Sequence, residues 1–541
     1  MQTRVDAVVV GAGFGGLYAL HRLRETGLSV RVFEAGSDVG GTWFWNRYPG
    51  ARCDVESFDY SYSFSEELQQ EWDWSERYAS QPEILRYIEH VADRFDLRRD
   101  ITFDTRVQAA TFDEAQGRWL VETDDGEQTS ATYLVMATGC LSSSRIPDFP
   151  GIEDFQGQTF HTGRWPSEPV DLEGKRVGVI GTGSSGVQVI TALAPQVGEL
   201  TVFQRTPTYI LPDWNRPVGP DELRELKATY PQRRREAAKG ALGIPIPVTP
   251  FNKQSAMAVS EQERVAEYER RWRIGGVCVG FSFKDLMFDK DANDTIAEFI
   301  RDKIRERVED PETAEKLVPT DYAYGTKRPS LGVHYYDSYN RDNVRLVDVR
   351  ADPIVGLTRN GLRTENTEYE LDAIVFATGF DAMTGTLNAI DIRGRGGRLM
   401  REHWSAGPRT YLGIGVSGFP NLFLITGPGS PSVLTNMIFS IEQHVRWIAE
   451  LIEWMRAEGT EVVEPTEAAE DEWVHKIAAL ADRSLYPATD SWFVGANVPG
   501  KPRAFMVYLG GAPAYAKECQ DVADAGYAGF EFSRAGAAVL S

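Results

Sequence analysis

Short apolar runs and helical hydrophobic periods alternate over the first part of the chain. Residues 5–10 form a nearly continuous apolar run, which predicts a buried parallel strand. A helical period follows, carried by Leu17, Leu20 and Leu23. Residues 29–33 predict the next strand. Strand, helix and strand in this order predict an α/β fold with a parallel sheet.

The same pattern returns after residue 174. Residues 175–180 predict a strand like the first, and residues 200–203 predict the strand after its helix. Further strands are predicted at 101–112, 119–123 and 131–136, and further helices at 82–97 and 437–455. The chain therefore predicts two α/β domains of the Rossmann-like type.

Residues 212–325 differ from the segments on either side. They are rich in charge and carry helical runs near 221–239, 260–272 and 294–308, which predicts a helical insertion in the second domain. Proline-rich residues 245–251 predict a mobile loop. We predict one domain from residues 1–140 and 381–541, a second from 141–211 and 326–380, and the insertion at 212–325.

A glycine-rich turn follows the first strand. Gly11 permits a tight turn, Gly13 lets the backbone approach a pyrophosphate, and Gly16 lets the helix pack close to the strand. Glu34 ends the next strand, where a carboxylate can accept hydrogen bonds from an adenosine ribose. Strand, turn, helix, strand and acid in this order indicate dinucleotide binding. The alternative is an ordinary α/β unit with a glycine-rich turn.

The second unit repeats the turn as Gly181, Thr182, Gly183, Ser184 and Ser185. The two serines are suited to cap the helix whose N-terminus would hold the phosphates. The following strand, however, ends in Arg205 and Thr206 instead of an acid. A carboxylate there would repel a 2′-phosphate, whereas Arg205 can pair with it and Thr206 can donate a hydrogen bond, which favours NADPH over NADH. The alternative for Arg205 is an exposed charge at a strand end.

Composition excludes several other classes of protein. At 541 residues the chain is long enough for two or three domains. A formal net charge of −22 argues against a surface that binds nucleic acids or anionic membranes, because such surfaces carry clustered Lys and Arg. The four cysteines are widely spaced and no metal-binding motif occurs, so no disulfide framework and no metal site are indicated. The first strand directly follows the N-terminus and no apolar run reaches transmembrane length, which favours a cytoplasmic protein.

The segment between the two predicted domains carries a motif with Phe155, Gly157, His161, Trp165 and Pro166 as its fixed positions. It resembles the fingerprint F-x-G-x-x-x-H-x-x-x-W-P of the Baeyer–Villiger monooxygenases. The resemblance implies a domain-coupling linker in which the histidine has a conformational role. The alternatives are a surface loop whose aromatic residues merely pack and a histidine that is structural.

Residues 40–60 resemble the FAD-binding region of the same enzymes. The resemblance assigns FAD contacts to Gly41, Thr42, Trp43, Trp45, Arg52, Asp54 and Tyr60. It places Asp54 beside the flavin, and the alternative is a solvated loop carboxylate. Val107 resembles a position that meets the FAD adenine, with core packing as the alternative. The first cofactor is therefore expected to be FAD.

Lys327 and Arg328 return the chain to the second domain. In the resembling family this arginine stabilises the reactive flavin peroxide, and the preceding lysine contacts the NADP phosphate. Asp54, by pairing with Arg328 or facing the nicotinamide side, would hold the arginine's charge in position. The alternative for the two cations is a solvated turn.

Two further segments resemble the family. Residues 427–437 are similar to a loop of the phenylacetone and steroid monooxygenases, which implies Leu434 and Met437 as the pocket wall against the flavin. Simple core packing is the alternative for both side chains. Trp492 is implied to reach NADP.

The resemblance implies an FAD-containing monooxygenase that uses NADPH and O2 to convert ketones to esters or lactones, with sulfides as further substrates. The element A-T-G-F-D at residues 377–381 resembles one shared with N-hydroxylating and S-oxidising flavoproteins, so such an enzyme is the alternative. An NADPH-binding redox sensor is the alternative outside the enzymes. No metal is expected to take part.

Overall fold

The computed structural model describes residues 3–245 and 252–534. The two largest sheets of these residues have eight and five strands, and a glycine-rich turn follows a central strand of each. The mobile loop predicted at 245–251 lies outside the described residues, except for residue 245.

Eight of the described strands form the first sheet. In spatial order seven of them are Asp391–Arg393, Val107–Asp113, Arg118–Thr123, Gln128–Met136, Thr3–Val10, Val30–Phe33 and Ile101–Thr102, and Leu422–Leu424 also pairs with Gln128–Met136. Thr3–Val10 runs parallel to both of its neighbours, and its last four residues are buried. Two strands from beyond residue 380 therefore complete the sheet that the N-terminus begins.

One strand prediction is wrong in the first sheet. Residues 101–112 were expected as a single strand, but Ile101–Thr102 pairs with Val30–Phe33 while Val107–Asp113 pairs with Arg118–Thr123. Asp104 separates the two strands with a left-handed backbone of φ 51°. Because that conformation breaks an extended strand, the chain turns there and crosses to another part of the sheet.

Five parallel strands form the second sheet among the described residues. In spatial order they are Val344–Asp348, Glu199–Gln204, Arg176–Ile180, Ala373–Phe376 and Gln158–His161. The last of these strands lies within the segment predicted as a linker. That segment is thus the edge strand of the second sheet, which its sequence did not indicate.

The remaining short strands form small sheets: Ile210–Leu211 with Ser330–Leu331; Ile354–Thr358, Gly361–Thr364 and Glu368–Glu370; and Val462–Pro465 with Phe530–Ser533. The α-helices of the described residues are Phe14–Glu25, Thr42–Trp45, Glu66–Glu71, Gln81–Arg94, Ser184–Leu193, Pro220–Ala237, Glu261–Ile274, Lys290–Arg307, Pro311–Leu317, Gly385–Ala389, Met400–His403, Met437–Glu458, Glu467–Asp482 and Ala512–Asp524. Helices at all three positions expected in the insertion are present. None of the described helices combines the length and the apolar character needed to cross a membrane.

The helix Met437–Glu458 is the longest described helix, and it packs in the core of the first domain. The Asn436 side chain accepts a hydrogen bond from the Ile438 amide at 3.1 Å, and Gly459 ends the helix with φ 70°. His444 is fully buried within it, where Nδ1 accepts from the Thr426 amide at 3.1 Å and Nε2 lies 2.7 Å from the Tyr515 hydroxyl. Burial lowers the pKa of His444 to about 4.

The buried His444 makes stability depend on pH. Because its pKa is about 4 in the folded chain and higher in the unfolded chain, its contribution is complete above pH 6.5 and is lost as pH falls towards 4. Between pH 7 and pH 5 the contribution to the free energy of unfolding is expected to fall by about 2 kcal/mol. Urea unfolding at both pH values measures this change.

His444→Gln removes the titrating group and should flatten that pH dependence. His475→Gln is the matched control, since His475 is exposed on the helix Glu467–Asp482 and should leave the dependence unchanged. An equally steep fall in both variants would contradict the role of His444.

Candidate active site

The first glycine turn is built around close backbone contacts. Gly11 has φ 103°, a conformation that favours glycine. A Cβ on Gly16 would lie 1.8 Å from the Gly11 carbonyl oxygen, so only glycine lets the helix begin this close to the strand. A Cβ on Gly13 would lie 3.2 Å from Cα of Gly41. The first glycine turn and Gly41 therefore face each other across a narrow gap.

Glu34 closes this turn from the next strand. Its Oε2 accepts from the Ala12 amide at 2.6 Å and its Oε1 accepts from the Gly36 amide at 2.7 Å. Glu34 is only 5% exposed, and burial raises the pKa of its carboxyl. Both oxygens thus hold the backbone at the strand end, where the sequence predicts a ribose contact.

The aromatic segment after Gly41 packs against the same turn. Thr42–Trp45 forms one helical turn, in which Trp43 is buried while Thr42 is exposed and Trp45 half-buried. The Trp43 indole Nε1 donates to the Tyr60 hydroxyl at 3.2 Å. Val107 is buried in the core with Val8 and Phe33, which favours core packing for this residue.

Arg328 and Asp54 form the ion pair that joins the two halves of the site. The Arg328 Nε lies 3.0 Å from Asp54 Oδ2, and its Nη2 lies 2.8 Å from each carboxylate oxygen. The Arg328 Nη1 donates to the Val433 carbonyl at 2.7 Å. The Asp54 charge, as the largest influence, raises the pKa of Arg328. The two side chains stay 34% and 25% exposed, so the pair is open on one side.

Arg52 lies outside this pair. Its Nη1 lies 3.1 Å from Glu76 Oε2 and donates to the Tyr78 carbonyl at 3.0 Å. The predicted cofactor contact of Arg52 stays a prediction.

The same segment brings the two sheets together through residues that sequence reasoning missed. The Tyr48 hydroxyl donates to Gln188 Oε1 at 2.7 Å, on the helix Ser184–Leu193. A Cβ on Gly50 would lie 2.5 Å from the Gln188 carbonyl oxygen, so the chain passes this helix in direct contact. The glycine at position 50, between the motif residues, was the available signal.

The second glycine turn repeats the first with one informative difference. Gly181 has φ 106°, and a Cβ on Gly186 would lie 2.2 Å from the Gly181 carbonyl oxygen. At Gly183, by contrast, a Cβ would meet no atom within 4 Å among the described residues beyond its chain neighbours and its own helix. The turn is therefore packed on the helix side and open on the side predicted for a phosphate. Such a cradle fits a dinucleotide.

The prediction that Ser184 and Ser185 cap this helix is wrong. The N-cap residue is Gly183, which has no side chain to cap the helix. The helix begins at Ser184, whose hydroxyl oxygen accepts from the Ser330 hydroxyl at 3.0 Å. Since the serines lie inside the first turn, the backbone N–H groups at the helix N-terminus are available to bind a ligand. Thr182 instead donates to the Thr206 carbonyl at 2.9 Å and ties the turn to the next strand.

The residues predicted for a 2′-phosphate are brought together. Arg205 is exposed and Thr206 half-buried at the end of Glu199–Gln204. Lys327 lies across from them, with its Nζ 4.9 Å from the centroid of the Tyr322 ring. Burial, and next the charge of Arg205, lowers the pKa of Lys327. The charge of Asp490 opposes this effect of Arg205 on Lys327, and a bound anion would act in the same direction as Asp490.

His161 is fully satisfied in the second sheet. Its Nδ1 accepts from the Gly163 amide at 2.9 Å, which leaves Nε2 to donate to the Arg145 carbonyl at 3.1 Å. Burial lowers the pKa of His161, so the ring is neutral. The Trp165 ring stacks on Phe160 at 4.9 Å, and a Cβ on Gly157 would lie 2.4 Å from the Phe155 ring. Phe155 is buried like these rings, whereas Pro166 is exposed. These contacts fit a structural histidine, and a conformational role stays a prediction.

The predicted pocket residues share one half-buried cluster. Leu434, Met437 and Trp492 pack against a core that includes Val433 and Tyr486. Since Val433 also accepts from Arg328, this cluster borders the ion pair. Among the described residues, no group of three His, Cys, Asp or Glu could hold a metal ion, and the four cysteines form no disulfide.

A buried hydroxyl pair ties the turn that carries Lys327 and Arg328 to the segment that carries Trp492. The Thr326 hydroxyl donates to the Ala323 carbonyl at 2.7 Å, so its oxygen accepts from the Thr489 hydroxyl at 2.8 Å. This pair could not be predicted from the sequence, because lone threonines carry no motif.

Thr489→Val removes the donated hydrogen bond and keeps the side-chain shape. We expect the KM for NADPH to rise about fivefold, because a net hydrogen bond contributes about 1 kcal/mol. Steady-state kinetics measures this, with Thr489→Ser as the control that keeps the hydroxyl. An unchanged KM in the valine variant would show that the pair does not position the segment.

Comparison with known proteins defines the class. The family model described as FMO-like, flavin-binding monooxygenase-like, matches residues 4–219. A Baeyer-Villiger monooxygenase of Pseudooceanicola batsensis is 49% identical over 530 residues, which cover 96% of this chain and 95% of that protein. A phenazine N-monooxygenase of Lysobacter antibioticus is 45% identical over 542 residues, which cover 98% and 97%. The solved structure of an oxidized steroid monooxygenase bound to NADP is 53% identical, with a TM-score of 0.94 and coverage of 98% of this chain and 100% of that chain.

The fold and both nucleotide cradles are thus those of a two-dinucleotide flavoprotein. At this identity and coverage, the chain belongs to the Baeyer–Villiger monooxygenase family. The predictions of an α/β fold with two nucleotide-binding domains, of FAD and NADP as cofactors and of a flavoprotein monooxygenase are confirmed.

Proposed function

We propose that this protein uses NADPH and O2 to convert a ketone to an ester or lactone on a bound FAD. The observation that carries this proposal is the Arg328–Asp54 ion pair. It fixes a permanent cation on Asp54, in the segment predicted to contact FAD, and directly against the 427–437 loop. Such a cation can stabilise the negative charge of an oxygen that attacks a carbonyl.

The residues present fit both cofactors. We assign FAD to the cradle of Gly11, Gly13, Gly16, Glu34 and Gly41 with Trp43 and Tyr60, and NADP to the cradle of Gly181, Thr182 and Gly183 with Arg205, Thr206 and Lys327. When bound, the flavin accepts a hydride from NADPH and activates O2 for transfer to the substrate.

The positive charge of Arg328 stabilises the attacking oxygen in the proposed reaction. A guanidinium does not deprotonate at working pH, so Arg328 favours negative charge on an attacking oxygen at all relevant pH values. Asp54 holds the guanidinium through two oxygens, and the Val433 carbonyl holds its third nitrogen. Three fixed contacts orient the cation before substrate arrives, so little reorganisation is needed.

The remaining predicted residues fit supporting roles. Leu434 and Met437 are half-buried beside Val433, which suits an apolar wall for a ketone. Trp492 lies in the same cluster and is proposed to reach NADP. We also propose the domain limits predicted from sequence, because strands Asp391–Arg393 and Leu422–Leu424 return to the first sheet.

Product analysis tests the proposed function. Purified FAD-loaded protein is incubated with NADPH, O2 and linear, aryl and cyclic ketones, and esters or lactones are sought by mass spectrometry. Parallel reactions with NADH should turn over more slowly, because NADH lacks the 2′-phosphate that Arg205 and Lys327 face. Oxidation of NADPH with no ester from any ketone would reject the proposal.

A second candidate function is N-oxidation, because the phenazine N-monooxygenase is 45% identical over nearly the whole chain. Aromatic N-heterocycles and thioethers therefore belong in the same panel. N-oxides without any ester would favour this candidate, whereas sulfoxides beside esters would support the predicted oxidation of sulfides. A redox sensor would consume no NADPH in response to any of these substrates. A cytoplasmic location stays a prediction.

A further inference from the structure

Arg350 lies at the carboxyl end of the second sheet, beside the residues predicted for a 2′-phosphate. It follows the strand Val344–Asp348, which pairs in parallel with Glu199–Gln204, the strand that leads to Arg205. The amide of Val349 donates to the Gln204 carbonyl at 2.9 Å and extends this pairing to the strand end. Both arginines therefore leave the sheet at the same edge.

The Arg350 guanidinium makes two contacts there. Its Nη2 donates to the Thr206 hydroxyl oxygen at 3.1 Å, and its Nη1 is paired with Asp321. The Arg350 side chain is 48% exposed and that of Asp321 38%, so the pair is open to solvent. Because Thr206 accepts from Arg350, its own hydroxyl proton can be donated to a ligand.

Three cations, Arg205, Lys327 and Arg350, lie at this edge among carboxylates. Asp321 pairs with Arg350, Asp348 accepts from the Arg350 amide at 2.9 Å, and Asp490 acts on Lys327. Repulsion from Arg205 adds to burial in lowering the pKa of Lys327, and the charge of Asp490 opposes it. A phosphate dianion would reverse this repulsion.

We propose that Arg350 is a further ligand of the NADPH 2′-phosphate and that Asp321 holds it against Thr206 for this purpose. The proposal rests on the proposed use of NADPH. A guanidinium already bound to the Thr206 hydroxyl can turn a second N–H to the same anion, which gives the fork geometry that phosphate favours. Arg350 thereby helps to select NADPH over NADH.

Binding of adenosine 2′,5′-bisphosphate and adenosine 5′-monophosphate to the FAD-loaded protein tests this assignment. The two nucleotides differ only in the 2′-phosphate. In Arg350→Ala, titration calorimetry should show the Kd of the bisphosphate raised about tenfold, the size of one charged hydrogen bond, with the Kd of the monophosphate unchanged. In Arg350→Lys the Kd of the bisphosphate should lie between that of the native protein and that of Arg350→Ala, because lysine keeps the charge but lacks the forked guanidinium.

Arg345→Ala is the control for net charge. Arg345 lies on the strand Val344–Asp348 that precedes Arg350, with its guanidinium 5.2 Å from the Tyr369 ring centroid. Its loss should change neither Kd by more than about twofold. The proposal is overturned if Arg350→Ala binds the bisphosphate as the native protein does, or if both nucleotides weaken equally. If the native protein itself does not prefer the bisphosphate, the proposed use of NADPH fails instead.

Discussion

Arg328→Ala is expected to abolish oxygenation of the ketone while NADPH still reduces the bound FAD. The fall in ester formation should be about 100-fold or more, the size seen when one fixed donor is removed from a site that stabilises an oxyanion. Hydride transfer needs the two nucleotide cradles, and neither contains Arg328. Anaerobic stopped-flow reduction and aerobic product analysis measure the two steps separately.

Two variants control this experiment. Arg164→Ala removes an exposed cation from the edge-strand segment and should leave both steps unchanged. Asp54→Asn keeps the cation but loses the charge that holds it at 2.8 Å, so oxygenation should fall less than in Arg328→Ala. Ester formation at the native rate in Arg328→Ala would remove the assigned role of the arginine.

Gly186→Ala and Gly183→Ala are expected to separate folding from NADP binding. A Cβ at Gly186 would lie 2.2 Å from a backbone oxygen, so the alanine variant should lose about 3 kcal/mol or more and fail to form a stable second domain. Gly183 has φ −76° and ψ −172°, which alanine adopts without strain. Its Cβ would enter the space predicted for the pyrophosphate.

The expected result for Gly183→Ala is therefore a normal melting temperature and normal FAD content with NADP+ bound at least about tenfold more weakly. Thermal unfolding, flavin absorbance and titration with NADP+ give the three quantities. If Gly183→Ala binds NADP+ like the native protein, the open side of the turn is not the phosphate cradle.

The glycine turns could be predicted from sequence because their physics is local. Gly16 and Gly186 touch the carbonyl oxygens of residues only five positions earlier, so spacing alone encodes the contact. The Arg328–Asp54 pair spans 274 positions and has no local signature. Its prediction depended on the resemblance to a family, and the structure brings the two residues into contact.

The errors came where distant partners decide the local structure. Residues 101–112 have the composition of one strand, but they form two strands because each end pairs with a different neighbouring strand of the sheet. Ser184 and Ser185 have the chemistry of caps, yet the helix begins at Ser184 itself, so both serines lie after the N-cap position. The contact of Tyr48 with Gln188 depends on how the two sheets meet, which no short motif encodes.

The pairing of Gln158–His161 with Ala373–Phe376 has a consequence for synthesis of the chain. The edge strand leaves the ribosome more than two hundred residues before its partner does, and the first sheet likewise awaits Asp391–Arg393 and Leu422–Leu424. Neither sheet can close while translation is at its midpoint, so nascent chains expose unpaired strand edges for many seconds. We expect such chains to depend on chaperones until about residue 424 has emerged, and premature termination before that point to yield aggregates.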